Sequence, residues 1–191
     1  MRGQSLRLAK WHRQAGAVGA EPAMRDWLET TGSLTARLVA SSEAFRVRRL
    51  HQKAALCSPG EAKPIGLPRR ERVWERDVLL LCDGVPVVFG HTVVPMSATA
   101  SDWPLFSALG ERSLGSTLFH DPKVRRGPLE FARLRDGHPL LARVRDAVGI
   151  DVNGTNFHAR RCVYRRHQGL LMVTEVFLPA VMDLTAATNK R

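Results

Sequence analysis

The sequence predicts an α+β fold, one antiparallel sheet covered by helices, and three observations carry that expectation. The dipeptide Asp83-Gly84 separates two apolar runs, Arg72–Cys82 and residues 85–94, the strongest short-range sign of a hairpin. A second pair of apolar runs, residues 160–167 and 170–178, meets around Gln168-Gly169. Between strands, residues 24–41 and 104–119 show helical spacing and read as two helix-turn-helix excursions, so helices segregate to one side of the sheet.

The elements follow in order. Residues 1–21 mix basic side chains with Gly and Ala around Trp11 alone, so they read as a poorly ordered or loosely docked basic arm preceding a single domain over 22–191. Pro22 suits a first helical turn, with Met24, Trp27 and Leu28 at helical spacing and Gly32 as the stop. Ser33 can cap a second helix, LTARLVAS. Residues 44–50 alternate as a half-exposed strand, and 51–70, with three prolines and two glycines, read as a loop. After the central hairpin, PLFSALG and SLGSTLF form the second excursion. Residues 129–134 read as a strand and 138–149 as a helix with Leu141, Val144, Arg145 and Val148 in phase. Past Pro179 the tail reads as frayed.

Size and composition narrow the function classes. A chain of 191 residues can bury one full core without disulfide or metal support. Its longest apolar run falls short of the roughly 18 residues that span a bilayer, and no apolar segment and cleavage site follow the basic start, so a cytoplasmic location is expected. Cys57, Cys82 and Cys162 are an odd set without a C-x-x-C pair, which argues for buried thiols and against a zinc site. With 29 basic and 18 acidic residues the net charge is +11, which suits both loose nucleic-acid binding and attraction of a small anion. The arginines are scattered and not interleaved with aromatics, so no specific nucleic-acid partner is expected.

The chemistry concentrates in LLMVTEVFLP, residues 170–179, where Glu175 is the only ionisable side chain. Alternation puts it on one face with Leu171, Val173 and Phe177. A carboxylate there must be paired, hydrogen-bonded or protonated. Arg76 shares its face with Trp74, Val78 and Leu80 and equally needs an anion, from the protein or from a ligand. Two readings stay open from these residues alone: a ligand pocket, or a buried Arg76–Glu175 ion pair. His91, in phase with Val87, Phe89 and Val93, reads as a satisfied core or rim histidine rather than a proton-transfer group.

These stretches carry a resemblance. VWERDVLLLCDGVPVVFGHTVVP, SLGSTLF and ARRCVYRRHQGLLMVTEVFLPA are similar in order and spacing to the chorismate lyase family, from about Trp27 to Ala180. The resemblance implies a six-stranded antiparallel sheet with an internal ligand pocket beneath two helix-turn-helix flaps. It implies elimination of pyruvate from chorismate to give 4-hydroxybenzoate, the step that opens ubiquinone biosynthesis, by a monomer needing no metal or redox cofactor. Carried over by position, it makes Arg76 and Glu175 catalytic and adds backbone ligand contacts at Leu34 and Leu114, with Arg160 and Arg161 as candidates for a second carboxylate. Two alternatives stand beside it. One is a ligand-sensing domain like those of some bacterial repressors, against which the lack of a DNA-binding domain before residue 22 counts. The other is a basic nucleic-acid-associated module.

Overall fold

A computed structural model of the protein describes residues 8–104, 106–152 and 154–188, and within them seven strands form one antiparallel sheet. They are β1 (Phe45–Leu56), β2 (Arg72–Cys82), β3 (Val85–Pro95), β4 (Val124–Arg126), β5 (Glu130–Leu134), β6 (Phe157–Arg166) and β7 (Gly169–Phe177). The order across the sheet is β1-β2-β3-β7-β6-β4, and β5 also pairs with β6. The expected six strands thus become seven over six positions, because β4 and β5 share the outer one. Pro128 explains the break: it has no N–H for the ladder, whereas Gly127 N still donates to Val163 O at 2.8 Å.

The hairpins form as their turns dictate. Asp83 and Gly84 both take positive φ, 51° and 83°, the backbone that a tight two-residue hairpin requires. The Asp83 carboxylate also accepts from the N–H groups of Glu43 and Ala44, which fixes the entry to β1. β1 continues to Leu56, beyond the expected 44–50, since edge pairing with β2 holds HQKAAL extended although its side chains show no clean alternation.

Among the described residues there are five α-helices: α1 (Pro22–Leu28), α2 (Leu34–Ala40), α3 (Leu114–His120), α4 (Pro139–Val148) and α5 (Val181–Thr188). Ser33 Oγ accepts from Ala36 N as the cap of α2. Of the second excursion only α3 is helical among the described residues; residues around 106–112 form turns. Trp103, Phe106 and Leu109 bury at a spacing of three without a helix. After Pro179 the chain forms α5, with Val181 and Leu184 buried in one cluster with Phe177, while residues 189–191 of the tail expected to fray lie outside the described residues.

Both faces of β2, β3 and β7 are buried, so both need cover. On one, Val78, Leu80 and Phe177 pack against Trp27, Leu28, Leu34 and Leu38 of α1 and α2. On the other, Leu79, Phe89 and Val176 pack against Leu140, Leu141 and Val144 of α4, so helices cover both sides rather than one. Residues 8–21 are not loosely placed: His12 and Phe131 exchange backbone hydrogen bonds at 2.8 Å, and Ala15 and Val18 are buried. Residues 1–7 of the expected arm lie outside the described residues.

Candidate active site

The register of the sheet decides which side chains meet. Arg76 pairs with Thr92 and Thr92 with Val173, while Gly90 stands between Val78 and Glu175. Glu175 in turn pairs with Arg160. Side chains on one face alternate in step across neighbouring strands, so Arg76, Glu175 and Arg160 share one face across β2, β7 and β6. All three line one cavity of about 600 Å³, counting its opening to solvent. Both residues singled out on the two central strands therefore look into the same space.

The two helical excursions form its roof. Leu34 and Leu114 open α2 and α3, where the first-turn N–H groups have no acceptor within the helix, and both side chains line the cavity. Thr35 Oγ1 and Ser113 Oγ lie 2.6 Å apart, a hydrogen bond from one flap to the other. A Cβ at Gly115 would stand 3.0 Å from Thr35 Oγ1, so glycine lets the flaps approach this closely. On the floor, Gly90 lines the cavity as its missing side chain allows.

Arg76 is 1% exposed and has no carboxylate partner among the described residues. Its Nη2 donates to Gly110 O at 3.1 Å and Arg112 O at 3.0 Å, which ties it to the loop before α3. Its Nε is buried without a hydrogen-bond partner. Burial, with Arg49 nearby adding repulsion, pulls its pKa down to about 10. A guanidinium held in that state is primed for an anion.

Glu175 does not pair with Arg76. Arg160 Nε donates to its Oε2 at 2.5 Å, and Arg160 Nη1 donates to Leu28 O and Thr30 O at 3.2 and 2.8 Å. Arg160 thus orients Glu175 through Nε and fastens α1 to the sheet through Nη1. The two-residue turn falls at His167–Gln168, one residue earlier than the expected Gln168-Gly169, and this places 160 opposite 175. Arg161 faces elsewhere: it pairs with Glu130 at 2.8 Å and lies over the Trp11 ring, 4.3 Å from its centroid. Thr35, Ser113, Tyr164 and Arg126 also line the cavity; of these, Ser113 lies in a loop and Arg126 in a three-residue strand, which carry no periodic signal. Burial raises the Tyr164 pKa, keeping its hydroxyl neutral.

His91 belongs to the opposite face, away from the cavity. Its Nδ1 lies 2.5 Å from Asp77 Oδ1 and its Nε2 2.9 Å from Glu61 Oε1. Burial alone would lower its pKa, but the hydrogen bonds to Asp77 and Glu61 outweigh it and raise the value to about 9. Arg143 of α4 adds bonds to Asp77 and Glu75 at 2.9 and 3.0 Å. The histidine is a satisfied core cation, as its apolar neighbours suggested.

Comparison with known proteins agrees with this geometry. The solved effector domain of PhnF from Mycobacterium smegmatis superposes with a TM-score of 0.51 at 16% identity, covering 78% of this chain and 89% of that one. A GntR-family transcriptional regulator from Bacillus cereus gives 0.53 at 12% identity, covering 71% and 92%. At such identities the likeness is one of fold. Sequence relatives are nearer: the Probable chorismate pyruvate-lyase of Cupriavidus metallidurans is 43% identical over 187 residues, 97% of this chain and 87% of the relative. That of Cupriavidus pinatubonensis is 47% identical over 161 residues, 84% and 83% of the two chains. The family model for chorismate lyase matches residues 5–186, and with relatives at these identities over nearly the whole length, the chain belongs to the chorismate lyase family.

Proposed function

We propose that the protein is a chorismate pyruvate-lyase that releases 4-hydroxybenzoate, with Arg76 and Glu175 as its catalytic residues. One observation carries the reading: a buried guanidinium with no carboxylate of its own among the described residues shares a cavity with an oriented glutamate. Chorismate brings a ring carboxylate that fits Arg76, whose planar fork can grip it with charge-assisted bonds worth about 1.5–3 kcal/mol each.

The reaction itself is an elimination. The ring carbon–oxygen bond to the enolpyruvyl group breaks with its electrons passing to oxygen, the proton on the adjacent hydroxyl-bearing carbon leaves, and the ring becomes aromatic. The released enolate takes up a proton on its methylene carbon and becomes pyruvate. Arg76 holds the ring carboxylate at one end. Glu175, as the partner of Arg160, presents an acceptor to the hydroxyl side at the other. Backbone groups at Leu34 and Leu114 complete the hold, and the joined flaps exclude water, which strengthens every polar contact inside.

The finer reading is a monomer in the cytoplasm that supplies the first committed intermediate of ubiquinone synthesis. No helix among the described residues is long and apolar enough to cross a membrane, which accords with it. Incubation with chorismate, with products separated by chromatography, tests the assignment. Equimolar pyruvate and 4-hydroxybenzoate are expected; a protein that binds 4-hydroxybenzoate but leaves chorismate intact would be a sensor of the same fold.

A further inference from the structure

Arg126, the last residue of β4, lines the same cavity from the outer edge of the sheet. Its Nη1 donates to Thr31 O in the turn between α1 and α2, and its guanidinium lies over the Phe119 ring of α3, 5.6 Å from the centroid. It therefore touches both flaps. Its Nε is buried and has no hydrogen-bond partner. Cys162 and Tyr164 are its polar neighbours, both with pKa values raised by burial and so uncharged.

Charge decides what this group lacks. Among the described residues lining the cavity, Arg76, Arg126 and Arg160 are cationic and Glu175 is the one carboxylate, already held by Arg160. The lining carries two uncompensated positive charges, and each of those guanidiniums, Arg76 and Arg126, keeps a buried Nε–H unpaired. A monoanion such as 4-hydroxybenzoate satisfies one of them. A dianion satisfies both.

We infer that the Arg126 guanidinium, which lines the cavity, binds the second carboxylate of a dianionic substrate, the one that departs with the enolpyruvyl group. The assignment rests on the lyase reading and deepens it. Substrate is then gripped at three points and product at two, so cleavage itself removes the contact at the flap edge. Arg160 differs in that its charge is already paired with Glu175, and its Nε and Nη1 are bonded to Glu175, Leu28 O and Thr30 O.

Calorimetry with two stable ligands tests it: the dicarboxylate 3-(carboxymethoxy)benzoate and the monocarboxylate 4-hydroxybenzoate, titrated into wild type, Arg126→Gln and Arg126→Lys. Losing one charge-assisted contact should weaken the dicarboxylate about 10- to 100-fold in Arg126→Gln. The same change should move 4-hydroxybenzoate by less than about twofold, and Arg126→Lys should restore part of the loss. KM for chorismate should rise in parallel with the dicarboxylate Kd. Unchanged dicarboxylate affinity would overturn the assignment. So would an equal loss for both ligands accompanied by a lower melting temperature, which would make Arg126 a flap latch only. Selective loss of the dicarboxylate in a protein that does not cleave chorismate would remove the lyase reading and keep the assignment.

Discussion

Arg76 sits at 1% exposure with an unpaired Nε, a placement that folding alone does not favour. Replacing it with methionine should therefore leave the melting temperature equal to or above that of wild type, while ligand affinity falls about 100-fold or more with the loss of two charge-assisted bonds. Thermal melts and calorimetry on Arg76→Met check both halves. Glu175→Gln keeps the shape but loses the charge that Arg160 is set to meet, so turnover should drop at least tenfold, by the transition-state value of one such bond. Steady-state pyruvate release measures it. At this scale the sequence was informative where a charge interrupts an apolar run: Glu175 and Arg76 stand out for that reason alone. Thr35, Ser113 and Arg126 do not, because their partners lie on other elements and short loops have no period to break.

Among the elements, the contact between flaps is the part most open to change. Thr35 and Ser113 join α2 to α3 by one hydrogen bond at 2.6 Å above the cavity. A net hydrogen bond is worth about 0.5–1.5 kcal/mol, so Thr35→Val should weaken 4-hydroxybenzoate binding about three- to tenfold, chiefly through faster dissociation. Stopped-flow displacement reads that rate; an unchanged off-rate would mean the flaps do not gate release. The central hairpin was legible because Asp83-Gly84 and two apolar runs agree, and α2 because Ser33 caps it. β1 was cut short at residue 50 and 104–110 was read as helix for opposite reasons: an edge strand tolerates unpatterned polar residues, and recurring turns bury apolar residues at near-helical spacing.

For the whole molecule, the back of the sheet carries a buried charge network that joins β2, β3, α4 and the loop at Glu61. His91 is held protonated by Asp77 and Glu61, with its pKa raised from 6.5 to about 9. A raised value in the folded state gives stability that is fully present below about pH 6.5 and lost as pH rises through about 9, on the order of 3 kcal/mol. His138 works the other way. Burial above all lowers its pKa to about 4, so stability falls as pH drops from 6.5 toward that value. The melting temperature should peak near pH 6.5, and His91→Gln should flatten the alkaline limb; a limb of unchanged slope would place the dependence elsewhere. None of this network was readable in the sequence, since Arg143 reaches Asp77 across 66 positions and only the packing of α4 brings them together. The fold class was readable, because each hairpin is local.

The account depends on one cavity that holds one benzoate-like anion between Arg76 and Glu175. Calorimetric titration of 4-hydroxybenzoate into wild type and Arg76→Ala tests it most directly. Binding of one equivalent to wild type, with affinity lost in Arg76→Ala while the variant still melts cooperatively, is the predicted result. No binding to wild type, or equal affinity in the two proteins, would contradict it.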